Sequence, residues 1–413
     1  MMRKLKEKLK SESIIYLLSD ITAKSAPFLA LPFILAVMSI NEYATYSLFF
    51  QTSNILMIVV GLGVYSSINI CFYKQWFDYK LYYASFISLI MFLTVVLLAL
   101  SIIFFSERWV HAAILYGSLS CYVQIKLVEF QNKKEKWPFF FLQFIKSFVF
   151  IFGLIIILKM MPHNNIVYDY IVTFSFLFIV YLCISEYKTL SCVKNTPLKQ
   201  IIIILTQGVK FAFPSFINSI SGWVRNGIDR FFILSLYSLT QVGLMSFSFQ
   251  VASVISVVGI SINRAVNVSL LHIYTENDEE ISIIKCNEKV RIVLIFLGSI
   301  SIALYLFIHM INVETEYLLK YSDAIFPLLP SLLASFVLQG GSGVYTSYLQ
   351  YYGHNKILGI SSLVIGGAYI PISFFSIKYY GYESVGFVFL FSWILQFAIS
   401  YHYVNNHSDR RVF

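Results

Sequence analysis

Polar positions in this chain act as punctuation between long apolar runs. A helix needs about 20 largely apolar residues to cross the hydrocarbon core of a bilayer. By that rule spans fall near 13–39, 43–72, 80–105, 109–130, 138–160 and 166–186, and again near 201–226, 240–271, 290–311, 325–350, 357–378 and 382–404. The runs are too long for strands and lack period-two alternation. The pattern therefore predicts an all-α integral membrane protein with about twelve transmembrane helices.

Composition agrees with lipid as the solvent. Of the 413 residues 58% are hydrophobic and 12% charged, against about 25% charged in an ordinary soluble domain. The first run continues past Ile14 to about Ile40, longer than a signal-peptide core, so it is expected to be a retained first helix with the basic stretch MMRKLKEKLK as its cytoplasmic flank. Lys and Arg gather at the termini and in the connections at Lys74–Lys80, Lys126–Lys136, Lys188–Lys210, Lys285–Arg291 and Lys356. The intervening connections hold little beyond Arg108, Lys159, Lys320 and Lys378. That alternation places both termini of a multi-pass membrane protein in the cytoplasm. The net charge of +9 then reports topology, and no continuous basic surface supports nucleic-acid binding. The segment Tyr274–Val290 mixes acids with an apolar face and reads as an amphipathic cytoplasmic helix.

The chain also repeats itself. When Phe33 is set against Phe232, PFILAVMSINEYATYSLFFQTSN lies on FFILSLYSLTQVGLMSFSFQVAS from its second residue onward, and Ile34, Leu35, Ser39, Ser47, Phe50 and Gln51 meet Ile233, Leu234, Ser238, Ser246, Phe249 and Gln250. Six spans per half keep both halves in one orientation, which implies two six-helix lobes about a pseudo-twofold axis along the membrane normal. The boundary is expected in the basic loop, giving an N-lobe over 1–197 and a C-lobe over 198–413.

Charges inside spans are costly, and they mark pathways or structural pairs. On the eighth span Ser246, Gln250, Ser253, Ser261 and Arg264 form a polar stripe ending in a cation, matched on the second span by Ser47, Gln51 and Asn54. Such stripes either join packed helices by hydrogen bonds or line a path. On the first span Asp20 and Lys24 are one turn apart, as are Arg225 and Asp229 on the seventh, with Arg230 adjacent. Lys146 adds a cation on the fifth. Arg225 and Arg230 lie toward the non-cytoplasmic side and Arg264 toward the cytoplasmic side. Cations at several depths suit a cavity that attracts an anion and presents it to either face; a structural ion pair or snorkelling to the interface is the plainer alternative.

No catalytic constellation accompanies these charges. The histidines are scattered, the five cysteines form no CxxC pair, and no metal site or cofactor is indicated. GGSGVY at Gly340–Tyr345 lacks the Lys-Ser/Thr of a phosphate loop and reads as small residues permitting close helix packing. Without an ATP-binding motif, uphill transport would draw on a proton or sodium gradient or on the membrane potential.

Three segments carry a resemblance. DRFFILSLYSLTQVGLMSFSFQVAS resembles the seventh-to-eighth span junction of polysaccharide flippases, with Met245 where an aromatic is usual. LPFILAVMSINEYATYSLF resembles their opening hairpin, and YLLKYSDAIFPLLPSLLASFVLQGGSGVYTSYLQYYGHNK their tenth span. The chain thus resembles Wzx-type flippases of O-antigen or capsule repeat units, within the multidrug/oligosaccharidyl-lipid/polysaccharide exporter superfamily. The resemblance implies alternating access and an undecaprenyl-diphosphate-linked oligosaccharide carried to the outer face of the inner membrane for lipopolysaccharide or capsule. It also implies work beside a polymerase and a chain-length regulator. Lys24 and Arg264 stand where related lipid flippases use cations, whereas the second-span cation of lipid II flippases is replaced by Gln51 and Asn54. Lys24, Arg225, Arg264, Gln51, Asn54 and Gln250 are then the expected substrate contacts, with Asp20, Asp229, Arg230 and Lys146 as charge partners or coupling groups. The rival readings are a drug/cation antiporter, which would want free intramembrane acids, and a sugar polymerase, which would want a large external loop.

Overall fold

The computed structural model describes residues 2–74, 77–160, 164–194, 196–276, 278–314 and 316–406. Lipid offers backbone amides and carbonyls no partner, so each segment satisfies them internally as helix. In chain order the helices are α1 (Met2–Val37), α2 (Ile40–Gly61), α3 (Val64–Lys74), α4 (Tyr79–Phe104), α5 (Arg108–Asn132), α6 (Lys136–Phe144), α7 (Phe150–Met160), α8 (Asn164–Ser185) and α9 (Tyr187–Lys194). They continue with α10 (Leu198–Leu236), α11 (Leu239–Glu276), α12 (Glu279–Glu314), α13 (Glu316–Tyr351), α14 (Asn355–Tyr380) and α15 (Ser384–Asn406). A π turn at Ile145–Val149 joins α6 to α7 into one span. Ten of these segments are long and apolar enough to cross a membrane. With α1, whose apolar part is Thr22–Val37, and α5, they make the twelve that the hydropathy pattern predicts.

Three features depart from that pattern. The second span is not continuous: Leu62 and Gly63 both take the left-handed backbone conformation (φ 46° and 69°) and separate α2 from α3. A Cβ at Gly63 would sit 2.9 Å from the Phe216 amide nitrogen, so the chain turns where only glycine can approach α10. Tyr274–Val290 is not a separate amphipathic helix either, because α11 runs on to Glu276 and α12 starts at Glu279. Third, Lys126 is not a loop cation but lies within α5, buried.

Helix contacts divide the chain into two compact units, Met1–Ile220 and Ser221–Phe413, the division falling inside α10. Within the first unit α5 is the central helix, packed by α2, α3, α4, α6 and α8. Within the second, α13 is central among α11, α12 and α15, and 61% of its membrane window is buried, the largest share of any span. Apolar side chains such as Ile102, Phe104, Leu177, Ile184, Ile302 and Met310 point outward, as a lipid-facing surface requires.

The internal repeat has a structural expression at the helix starts. Ser39 caps α2 in a capping box with Glu42, and at the equivalent place before α11 the Ser238 hydroxyl donates to Gln241 Oε1. Small residues set the closest contacts of each unit. Gly117 of α5 lies against the α2 backbone, where a Cβ would come 2.7 Å from the Ser53 carbonyl oxygen. Gly340 of α13 packs against Gly259 of α11, and Asn263 donates to the Gly340 carbonyl at 3.0 Å. The GGSGVY run therefore does what its small residues suggest. Because the Gly117 neighbour is backbone and cannot rotate away, Gly117→Ala should cost about 1–3 kcal/mol. A thermal melt unchanged from wild type would contradict that packing.

Candidate functional site

The second half of α10 carries three charges into the core of the second unit. Arg225, Asp229 and Arg230 are all buried. Helical spacing would allow Asp229 to pair with Arg225, but the carboxylate instead accepts hydrogen bonds from two residues of α14, Tyr369 at 2.6 Å and Ser373. Arg230 donates from Nε to Ser246 of α11 at 3.0 Å and from Nη1 to the Asn226 carbonyl at 2.7 Å. Its guanidinium lies 5.0 Å from the Phe249 ring centre. Arg225 stacks 4.5 Å from the ring centre of Trp393 on α15, and its Nε and Nη1 atoms have no hydrogen-bond partner among the described residues. Two guanidinium groups and one carboxylate are thus buried together in a low-dielectric interior.

Sequence reasoning singles out the three charges but not the groups that hold them. Tyr369, Ser373 and Trp393 are ordinary residues in spans remote along the chain. Of the eighth-span stripe, Ser246 serves Arg230, while Ser253 and Ser261 donate back to the Gln250 and Val257 carbonyls of their own helix. Contacts to α13 are made instead by Ser256 with Gln339, by Asn263, and by Asn267 with Ser347. Gln250 is half-buried and Arg264 is exposed.

In the first unit Lys24 on α1 is half-buried, and so is Lys146 in the π turn. These two elements touch, and Ser19 of α1 donates to Gln143 of α6 at 3.0 Å. No carboxylate among the described residues lies within ion-pair distance of either lysine. The side chain of Asp20, the expected partner of Lys24, is outside the described residues. Lys146 lies near Cys121 of α5, a wall residue of a cavity of about 450 Å³. On α2, Gln51 is half-buried and Asn54 exposed.

A second charged cluster has no counterpart among the expected site residues. Lys126 of α5 lies between Glu129, at 2.6 Å, and Glu186 at the end of α8, and Glu129 also pairs with Lys133. Lys126 and the two carboxylates are buried. The signal was present as Lys126 and Glu129 three residues apart in an apolar run, but the neighbouring lysines disguised it as a basic loop.

Together, the paired bundles and the charged span interiors define a class. The chain has the fold of the MATE family transporters of the MOP superfamily. An outward-facing multidrug resistance MATE transporter matches with a TM-score of 0.64 at 12% identity, over 97% of this chain and 96% of that one. An inward-facing one matches at 0.63 and 14%, over 96% and 98%. A MOP superfamily transporter from Pyrococcus furiosus, described as having a binding pocket of reverse polarity that suggests a different function, matches at 0.57 and 11%, over 97% and 96%. Among curated proteins, protein 1 of the Lsg locus of Haemophilus influenzae is 22% identical over 395 residues, 91% of this chain and 94% of its own length. No family model matches the chain.

Proposed function

We propose that this protein is a flippase that carries a polyprenyl-diphosphate-linked oligosaccharide, an O-antigen or capsule repeat unit, across the bacterial plasma membrane by alternating access. Both termini would face the cytoplasm, following the alternation of basic connections. The observation that carries the reading is the pairing of charges in and beside the spans among the described residues, which do not include the Asp20 side chain. Asp229 is held by Tyr369 and Ser373, Glu129 and Glu186 by lysines, and Asp169 by Arg108 at 3.3 Å. Lys24 and Lys146 have no such counter-charge among the described residues. A drug/cation antiporter needs the reverse, a free carboxylate facing its cargo. The Pyrococcus furiosus neighbour, whose binding pocket is described as having reverse polarity that suggests a different function, is consistent with this reading.

In this scheme Lys24 and Lys146 neutralise the diphosphate, which lipid cannot solvate, and the polyprenyl tail stays in the bilayer. Arg264, Gln51, Asn54 and Gln250 would offer contacts along the path. Arg225 would join them only after moving away from Trp393. Transport against a gradient would be coupled to protons or sodium.

The test begins with deletion of the gene. Lipid-linked repeat units should accumulate on the cytoplasmic face, with surface polysaccharide lost. A charge-assisted hydrogen bond contributes about 1.5–3 kcal/mol. A variant carrying both Lys24→Met and Lys146→Met should therefore restore translocation roughly a hundredfold less well than the native gene. Full complementation by that variant, or normal surface polysaccharide in the deletion strain, would move the assignment to the antiporter.

A further inference from the structure

We infer that the cavity at the break between α2 and α3 is a subsite for an uncharged sugar ring. This deepens the flippase reading and rests on it. The cavity holds about 450 Å³ and is walled by α2, α3, α5 and the first half of α10, a size typical of small-molecule pockets.

Its chemistry is mixed in the way a hexose is mixed. Met57, Ile58 and Ile125 supply apolar wall, which suits the C–H face of a pyranose. Tyr65 is 42% exposed and presents an aromatic ring whose hydroxyl is shared with Ser215 and Ser219, each at 3.3 Å. Gln124 is exposed on the wall, and its amide makes no hydrogen bond to a described residue, so donor and acceptor are both open to a ligand. No Asp, Glu, Lys, Arg or His is among the described residues that line the cavity. The described lining therefore offers no counter-charge to a diphosphate or to a cationic drug.

The backbone points to the same place. Leu62, a non-glycine residue in the left-handed region, is strained, and such strain collects at binding sites. The interruption also ends one helix and starts another within a span, as discontinuous membrane helices do where they meet polar cargo. Lys146, which lies near Cys121 in the wall, would place the anionic diphosphate next to this neutral compartment. The order sugar, diphosphate, lipid then maps onto cavity, lysines, bilayer.

The experiment compares two probes on the full-length protein in nanodiscs: undecaprenyl diphosphate alone, and undecaprenyl diphosphate bearing one neutral hexose. Gln124→Leu should weaken binding of the hexose-bearing probe about tenfold, the loss of one or two hydrogen bonds, and leave the bare carrier unchanged. Lys146→Met should weaken both. Equal losses for both probes on Gln124→Leu, or none for the hexose-bearing one, overturn the subsite while leaving the flippase reading intact. Wild-type protein that binds neither probe defeats the flippase reading and the subsite with it. A thermal melt of Gln124→Leu matching wild type excludes misfolding as the cause.

Discussion

Lys126→Met should lower unfolding stability by about 3–5 kcal/mol, the usual result of removing one partner from a buried ion pair. The native cluster is electrically balanced, with Lys126 and Lys133 against Glu129 and Glu186. Methionine keeps most of the side-chain volume but leaves Glu186 without a cation, deep between α5 and α8. Glu129 keeps Lys133, whose side chain is 43% exposed and screens it less well. The loss is electrostatic and not steric, so a second change distinguishes the two. Lys126→Met combined with Glu129→Gln and Glu186→Gln removes the uncompensated charges and should recover most of the stability. Chemical unfolding in detergent, followed for the single and triple variants, checks both statements. A triple variant no more stable than the single one would mean that the network acts through packing.

The second large effect is expected at Asp229. Asp229→Leu strands the Tyr369 and Ser373 hydroxyls, at about 1–3 kcal/mol for each buried group left unsatisfied, and removes the buried negative charge that acts on Arg230. The combined loss should equal or exceed that at Lys126, and little folded protein should survive extraction. Asp229→Asn retains an acceptor for one hydroxyl and should lose less. Tyr369→Phe, which removes only one hydrogen bond to a charged group, should cost about 1.5–3 kcal/mol. In the Asp229→Asn background the same Tyr369 change should cost much less, because the two residues share one interaction. Wild-type stability in Asp229→Leu would show that the charges of α10 are not held by α14 as described.

These clusters also show what a single sequence reveals of a membrane protein. The twelve spans were legible because lipid demands long apolar runs, and the Ser39 and Ser238 repeat because polar residues within or beside such runs are conspicuous. Arg225, Asp229 and Arg230 stood out for the same reason. Their partners did not, since Tyr369 lies 140 positions from Asp229 and nothing about a tyrosine in a span announces its contact. Lys126 was misread because hydropathy counts a lysine near Lys133 and Lys134 as loop. The break after Gly61 escaped because hydropathy is blind to φ, although Gly61-Leu62-Gly63 carried the hint. Where the substrate path runs depends on which cations meet a cavity, and charge spacing along one helix does not supply that.

The π turn at Ile145–Val149 divides the fifth span in a way its unbroken apolar run conceals. One surplus residue in a helix of 3.6 residues per turn advances everything beyond it by about 100°. Both α6 and α7 pack on α1, but their second neighbour differs, α5 for α6 and α8 for α7, and Lys146 sits at the phase change. Length in this span is accordingly a quantised variable. Deleting a single residue between Ile145 and Val149 would restore an even helix and swing α7 away from α8, whereas the same deletion in an exposed turn would change little.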